Sequence, residues 1–190
     1  MIDRRHILGL GAAALALPAF TIRARAAAMS HVTAYAFTFK GLDGGEILLS
    51  SYAGHPILVV NTASQCGYTP QYTGLEALWT RFHGKGLEIV GVPSNDFGGQ
   101  EPGGAKEIDK TAHGEYHITF PLTEKAAVKG ANAHPFYRWA AQERPGELPK
   151  WNFHKYLIGR DGQLKAGFTS AIEPTDPVVI AAIERELPAA

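Results

Sequence analysis

Cysteine is almost absent from this chain, and its one copy, Cys66, rules out a disulfide within the molecule. Neither sign of charge is in excess, because lysine plus arginine and aspartate plus glutamate count 18 each. The chain therefore lacks the basic surface typical of nucleic-acid binding. Long hydrophobic runs are lacking too, since the apolar stretch at residues 7–20 is too short for a transmembrane helix. The composition, 45% apolar over 190 residues, is that of a globular protein with a proper core.

The first 26 residues have the layout of an export signal. Arg4 and Arg5 precede the apolar stretch, and residues 24–26, ARA, offer a small-x-small cleavage site. The arginine pair resembles a twin-arginine signal, which predicts a periplasmic or otherwise exported protein. Residues 27–190 are then the single folded domain. Removing four arginines and one aspartate with the leader leaves a net charge of −3, which argues against strong attraction to nucleic acid or anionic lipid.

Strand and helix patterns alternate along this domain. Apolar, β-branched runs predict strands at residues 57–63, 87–93 and 151–158. Helical periodicity and capping signals predict helices at residues 70–82, 105–115 and 134–142 and after Asp176, with Thr69 as the N-cap of the first. A hairpin and a last helix close the chain. This order predicts an α/β fold with a central mixed sheet flanked by helices.

Cys66 lies between the first of these strands and the first of these helices. Unpaired backbone N–H groups and the positive end of a helix dipole favour a thiolate at such a place. The carboxyl end of a sheet strand is also where open α/β sheets carry out their chemistry. A buried cysteine that packs as a small hydrophobe is the alternative, and the local pattern leaves both open.

Three separated stretches resemble one family, the glutathione peroxidases. Residues 61–67, NTASQCG, resemble its active-site segment, residues 97–103, FGGQEPG, its glutamine loop, and residues 151–153, WNF, its tryptophan–asparagine segment. The stretches occur in the family's order, and the likeness covers nearly the whole domain. Taken alone, Gln100, Trp151 and Asn152 are as well explained by a loop, a core strand and a turn.

The resemblance implies a thioredoxin-like fold and thiol-dependent reduction of hydroperoxides. It also implies a catalytic set that falls on Cys66, Gln100, Trp151 and Asn152. The chemistry suits these residue types, because a peroxide needs a soft anionic nucleophile and a donor for the departing oxygen. The Cys66 thiolate would become a sulfenic acid. The amides of Gln100 and Asn152 and the indole of Trp151 would supply N–H donors to the thiolate and the leaving oxygen.

The reductant has to come from outside the chain. Many cysteine-type relatives carry a resolving cysteine where this chain has Ala112, and another frequent family cysteine is replaced by Ser94. The expected partner is therefore a small thiol such as glutathione, or a thiol protein, and no prosthetic group is implied. No further ligand is spaced to complete a metal site with His113 and His117. The short stretch between Gln142 and Trp151 resembles monomeric members, which predicts a monomer.

Two other functions fit the same thiol. One is a one-cysteine peroxiredoxin-like enzyme, although no arginine matches the pattern that such enzymes place around their cysteine. The other is a peroxide sensor, or a binding protein that uses the fold without turnover. A sensor would be oxidised once at Cys66 without catalytic consumption of peroxide.

Overall fold

A computed structural model describes residues 32–188 of the chain. The predicted leader, residues 1–26, lies outside these described residues, as does the start of the predicted domain. Six strands and four α-helices make up the described fold. The strands are β1 (Thr38–Lys40), β2 (Glu46–Leu48), β3 (Ile57–Thr62), β4 (Glu88–Pro93), β5 (Lys155–Ile158) and β6 (Leu164–Phe168). The helices are α1 (Gln71–Phe82), α2 (Ala105–Asp109), α3 (Pro135–Glu143) and α4 (Pro177–Glu186).

The central sheet has the strand order β4-β3-β5-β6 and is mixed. Strand β3 pairs parallel with β4 and antiparallel with β5, and β5 pairs antiparallel with β6. Every residue of β3 is buried, as expected for a central strand covered on both faces. The α/β class and the mixed sheet predicted from the sequence are confirmed.

Helices cover both faces of the sheet. The side chains of β3 alternate between two core clusters, with Leu58 and Val60 in one and Ile57 and Val59 in the other. The first cluster also contains residues of α1, α2 and α4, and the second contains residues of α3 and of β1. The sheet therefore lies between two layers. No described helix is long and apolar enough to cross a membrane.

Helix α1 begins one residue later than predicted. Its N-cap position is Pro70, and no side chain caps it. The prediction of Thr69 as N-cap is wrong because the Thr69 hydroxyl bonds within the preceding turn, where it accepts a hydrogen bond from the Cys66 N–H (3.0 Å). The predicted cap of α4 is confirmed, since the Asp176 carboxylate accepts from the Val178 N–H at 2.8 Å.

The strand predicted over residues 151–158 is shorter than expected. Only Lys155–Ile158 forms β5, and residues 151–154 form a turn. The cause is Phe153, whose φ of +61° is left-handed and breaks the extended backbone. The sequence hides this break, because aromatic residues favour strands. The break matters for the site, since it lies beside two of the predicted catalytic residues.

Candidate active site

The turn between β3 and α1 holds Cys66 almost buried, with 7% of its surface exposed. The Thr69 hydroxyl fixes this turn, because it accepts from the Cys66 N–H and lies within donating distance of the Ala63 carbonyl (2.8 Å). The Cys66 Sγ in turn accepts a hydrogen bond from the Tyr68 N–H at 3.4 Å. The sulfur therefore faces a backbone donor just ahead of α1, which favours negative charge on it.

The glutamine loop lies directly against this turn. The Gln65 N–H donates to the backbone carbonyl of Gln100 at 3.0 Å. The Glu101 carboxylate accepts from both the N–H (2.9 Å) and the hydroxyl (3.1 Å) of Ser64. Burial raises the pKa of Glu101, and the bonds from Ser64 partly offset that rise. These contacts hold the loop that carries Gln100 beside the segment that carries Cys66.

Asn152 determines which way the Gln100 amide points. The Asn152 Nδ2 donates to Gln100 Oε1 (2.9 Å) and to the Phe97 carbonyl (3.4 Å). A carbonyl can only accept, so the nitrogen of Asn152 must be the atom that faces Phe97, and the oxygen of Gln100 must face that nitrogen. The two N–H donors of Gln100 therefore point away from Asn152, which is itself fully buried.

Trp151 is the exposed member of the group, with 38% of its surface accessible. Its ring lies 6.0 Å from that of Phe97 and tilts by 47°. A Cβ on Gly98 would lie 3.4 Å from the Trp151 ring and 3.5 Å from the Gln100 side chain, so both side chains approach the same glycine. Gly98 has a φ of +66°, a left-handed conformation that suits glycine.

The structure thus brings Gln100, Trp151 and Asn152 together, and it joins the glutamine loop to the Cys66 turn through Ser64 and Gln65. Within residues 32–188, none of the three side chains hydrogen-bonds to the Cys66 sulfur, whose partner is the Tyr68 amide. Their roles as donors to the thiolate stay a prediction. Sequence reasoning missed Tyr68, since any residue has an N–H. It also missed Glu101, because an acidic residue in a Gly-rich loop is ordinarily solvated.

Two charged side chains near the site, Asp96 and Lys125, form hydrogen bonds with backbone groups. The Asp96 carboxylate accepts from the N–H groups of Val128 (2.6 Å) and Lys129 (3.1 Å). The Lys125 ammonium donates to the carbonyls of Glu101 (3.1 Å) and of residue 103 (2.8 Å). In the described part of the chain, no group of three His, Cys, Asp or Glu side chains is arranged to hold a metal ion.

Comparisons with known proteins identify the family of this chain. Residues 34–141 match the family model described as glutathione peroxidase. A hydroperoxy fatty acid reductase, gpx1, of Synechocystis sp. is 42% identical over 169 residues, which is 84% of this chain and 99% of that protein. The crystal structure of Trgpx in apo form superposes with a TM-score of 0.64 at 35% identity, covering 84% of this chain and all of that one.

A more distant structure identifies the general fold. A thioredoxin family protein from Chlorobium tepidum, a thiol:disulfide interchange protein, matches with a TM-score of 0.59 over 80% of this chain and 93% of its own. At 14% identity it shows the fold alone, and it confirms the expected thioredoxin-like architecture. The family match and the gpx1 relative carry the finer assignment. The chain belongs to the glutathione peroxidase family, whose members reduce hydroperoxides at the expense of thiols.

Proposed function

We propose that Cys66 is the nucleophile of this peroxidase and that Gln100, Trp151 and Asn152 form its donor set. The Cys66 thiolate attacks one oxygen of a hydroperoxide, the O–O bond breaks, and the other oxygen leaves with a proton as water or an alcohol. Cys66 is then a sulfenic acid. The observation that carries this proposal is the bond from Asn152 to Gln100, which leaves the Gln100 N–H donors free for the departing oxygen.

An external thiol completes the cycle. The first thiol condenses with the sulfenic acid, forming a mixed disulfide and releasing water. A second thiolate attacks that disulfide, which regenerates Cys66 and releases an oxidised disulfide. Ala112, which is fully buried, stands where many cysteine-type relatives carry a resolving cysteine. Cys66 is the only cysteine among all 190 residues, so the second thiol has to come from another molecule.

Organic hydroperoxides with long apolar chains are the preferred substrates under this proposal. Two large apolar side chains, Leu148 (42% exposed) and Trp151 (38% exposed), lie on the surface three residues apart. Trp151 belongs to the proposed donor set, so its exposed ring offers an acyl chain an apolar contact beside the site. The Synechocystis relative is named a hydroperoxy fatty acid reductase, which supports the same substrate class.

The protein acts as a monomer outside the cytoplasm in this proposal. The monomer is inferred from the short segment between Gln142 and Trp151, and the export from Arg4, Arg5 and the leader that follows. Conversion of both arginines to lysine is expected to block export while leaving the folded enzyme unchanged. Fractionation of cells that express each form measures this, and unchanged export by the variant would rule out the twin-arginine route.

Cys66→Ser tests the function directly. We expect the variant to lose turnover of hydrogen peroxide and of a fatty acid hydroperoxide with every reductant, since it lacks the only thiol. Glutathione, a thioredoxin system and a generic dithiol are compared in parallel, and peroxide with dimedone should give wild type one sulfenic adduct, at Cys66. Full turnover by Cys66→Ser would refute the proposal. Stoichiometric oxidation without turnover would instead indicate a sensor.

A further inference from the structure

Phe153 has a backbone conformation that a bulky residue seldom adopts. Its φ is +61°, in the left-handed region that glycine, asparagine and aspartate occupy more easily. Such a residue persists only where its surroundings hold it, and such residues cluster at functional sites. Phe153 directly follows Trp151 and Asn152 and precedes β5. Its conformation therefore sets the angle between those two residues and the strand.

Three contacts hold Phe153 in place. Its N–H donates to the backbone carbonyl of Asn61 on β3. Its ring packs edge-on against that of Tyr72 on α1, with the centroids 5.3 Å apart. Its carbonyl accepts a hydrogen bond from the Lys155 ammonium at 2.8 Å. Only the last of these comes from a charged side chain.

Lys155 is an unusual residue for the middle of a sheet, because its side chain is fully buried. Its ammonium also donates to the Ile172 carbonyl at 2.8 Å, so it bridges the Phe153 turn and the loop before α4. Both partners are backbone carbonyls. Loss of the ammonium would leave both carbonyls without this donor, and one of them belongs to the left-handed turn at Phe153.

The segment that this ammonium holds is the one that carries two predicted catalytic residues. Asn61 Nδ2 donates to the Trp151 carbonyl at 3.1 Å, which anchors the segment at its start. Lys155 anchors it at its end. Between the two anchors, Asn152 reaches the Gln100 side chain. A shift of the Phe153 carbonyl would therefore move Trp151 and Asn152 relative to Gln100.

We infer that Lys155 is a positioning residue of the active site, whose ammonium holds the Phe153 carbonyl and with it the left-handed turn that places Trp151 and Asn152 beside Gln100. The inference rests on the proposed function of those side chains. Burial lowers the pKa of Lys155 to about 8, and the Glu173 carboxylate opposes that shift. At neutral pH the ammonium is therefore mostly charged and makes charge-assisted bonds, which are short and directional.

Lys155→Met removes the donors and the charge and keeps an unbranched apolar stem. Leu157→Ala is the matched control, since Leu157 is fully buried two residues further along β5 and belongs to the same core cluster as Phe153. The rate at which hydrogen peroxide oxidises Cys66 is measured by dimedone trapping and mass spectrometry, well below both unfolding midpoints. A second readout is ¹⁹F NMR of the protein labelled with 5-fluorotryptophan, which reports on the surroundings of Trp151. The chain has three tryptophans, and the resonance that is lost in Trp151→Phe is the one that belongs to Trp151.

We expect Lys155→Met to slow Cys66 oxidation by about 10- to 100-fold, because misplacement of a catalytic group by about 1 Å has effects of that size. The Trp151 resonance should shift in this variant. Leu157→Ala should lose thermal stability but keep the rate and the resonance, and Lys155→Arg should recover part of the rate. If Lys155→Met does not fold, Lys155→Gln takes its place, since it carries a donor on a shorter stem. Its oxidation rate and its Trp151 resonance are then compared with those of the wild type.

A wild-type rate and an unmoved Trp151 resonance in Lys155→Met would overturn the inference. So would an equal slowing by Leu157→Ala, because any loss of stability would then suffice. The proposed function fails in a different way, through undiminished turnover by Cys66→Ser. The NMR measurement needs no activity, so it decides on the role of Lys155 even in that case.

Discussion

Asn152 offers a sharp test of how the donor set works, because two substitutions there should act differently. In Asn152→Asp the new carboxylate oxygen faces the Gln100 Oε1 across the present 2.9 Å contact. Two oxygens at that distance repel, and the repulsion is relieved when the Gln100 amide turns over. Its N–H groups then face the carboxylate and its oxygen faces the site. We expect loss of this donor to slow Cys66 oxidation by about 100- to 1,000-fold, or about 3–4 kcal/mol.

Asn152→Ala leaves the Gln100 amide without a preference for either orientation. About half of the molecules would still present N–H donors, so orientation alone should slow oxidation only about twofold, or about 0.4 kcal/mol. The variant should be less stable by about 2 kcal/mol, since the carbonyl oxygens of Phe97 and Gln100 lose a buried donor. Stopped-flow oxidation at pH 8 and urea unfolding measure the two effects separately.

The relative rates of Cys66 oxidation in the two variants show whether Asn152 acts by orienting Gln100. If Asn152→Ala slows oxidation as much as Asn152→Asp, then Asn152 itself donates to the reacting atoms and does not act by orienting Gln100. A wild-type rate in Asn152→Asp would refute any role for the direction of the Gln100 amide. Gln100→Glu serves as the control, because it removes the donors without turning the side chain and should match Asn152→Asp.

Glu101→Ala should lower the free energy of unfolding by about 2 kcal/mol in urea, because the Ser64 N–H and hydroxyl lose a charged acceptor; Glu101→Gln keeps an acceptor and should lose less. Burial lowers the pKa of His154 to about 4 from 6.5, so the unfolded state binds its proton first as the pH falls. The free energy of unfolding should therefore fall by about 3 kcal/mol between pH 6.5 and 4, and His154→Phe should remove that part of the slope. Trp151→Phe keeps the ring and removes the N–H, and we expect it to slow Cys66 oxidation by at least about tenfold in the same stopped-flow assay; a wild-type rate would exclude the indole as a donor.

The sequence could predict the sheet, the position of the thiol and the family because these depend on local patterns. The apolar run of β3 is a strong signal, and the lone Cys66 follows it directly. The three resembling stretches identified Gln100, Trp151 and Asn152, which the structure places around Phe97 and Gly98.

The features that the sequence could not predict all depend on contacts between distant residues. Thr69 has the composition of an N-cap, but the Cys66 N–H uses its hydroxyl instead. The strand predicted from Trp151 begins only at Lys155, because Asn61 and Lys155 hold Phe153 in a conformation that its own preference opposes. No local pattern shows that partners so far apart in the chain will meet.

The placement of charge near Cys66 fits a proposed donor set that is itself uncharged. The charged side chains of the nearby loops, Asp96, Glu101 and Lys125, direct their charges at backbone N–H or carbonyl groups of those loops. Lys155 does the same beneath the site. Ionic groups thus fix the loops, while the groups expected to meet the peroxide are amides and an indole. Neutral donors can stabilise the charge that develops on a leaving oxygen without holding the product as a tight ion pair. The product is then free to depart, and the sulfenic acid is open to the next thiol.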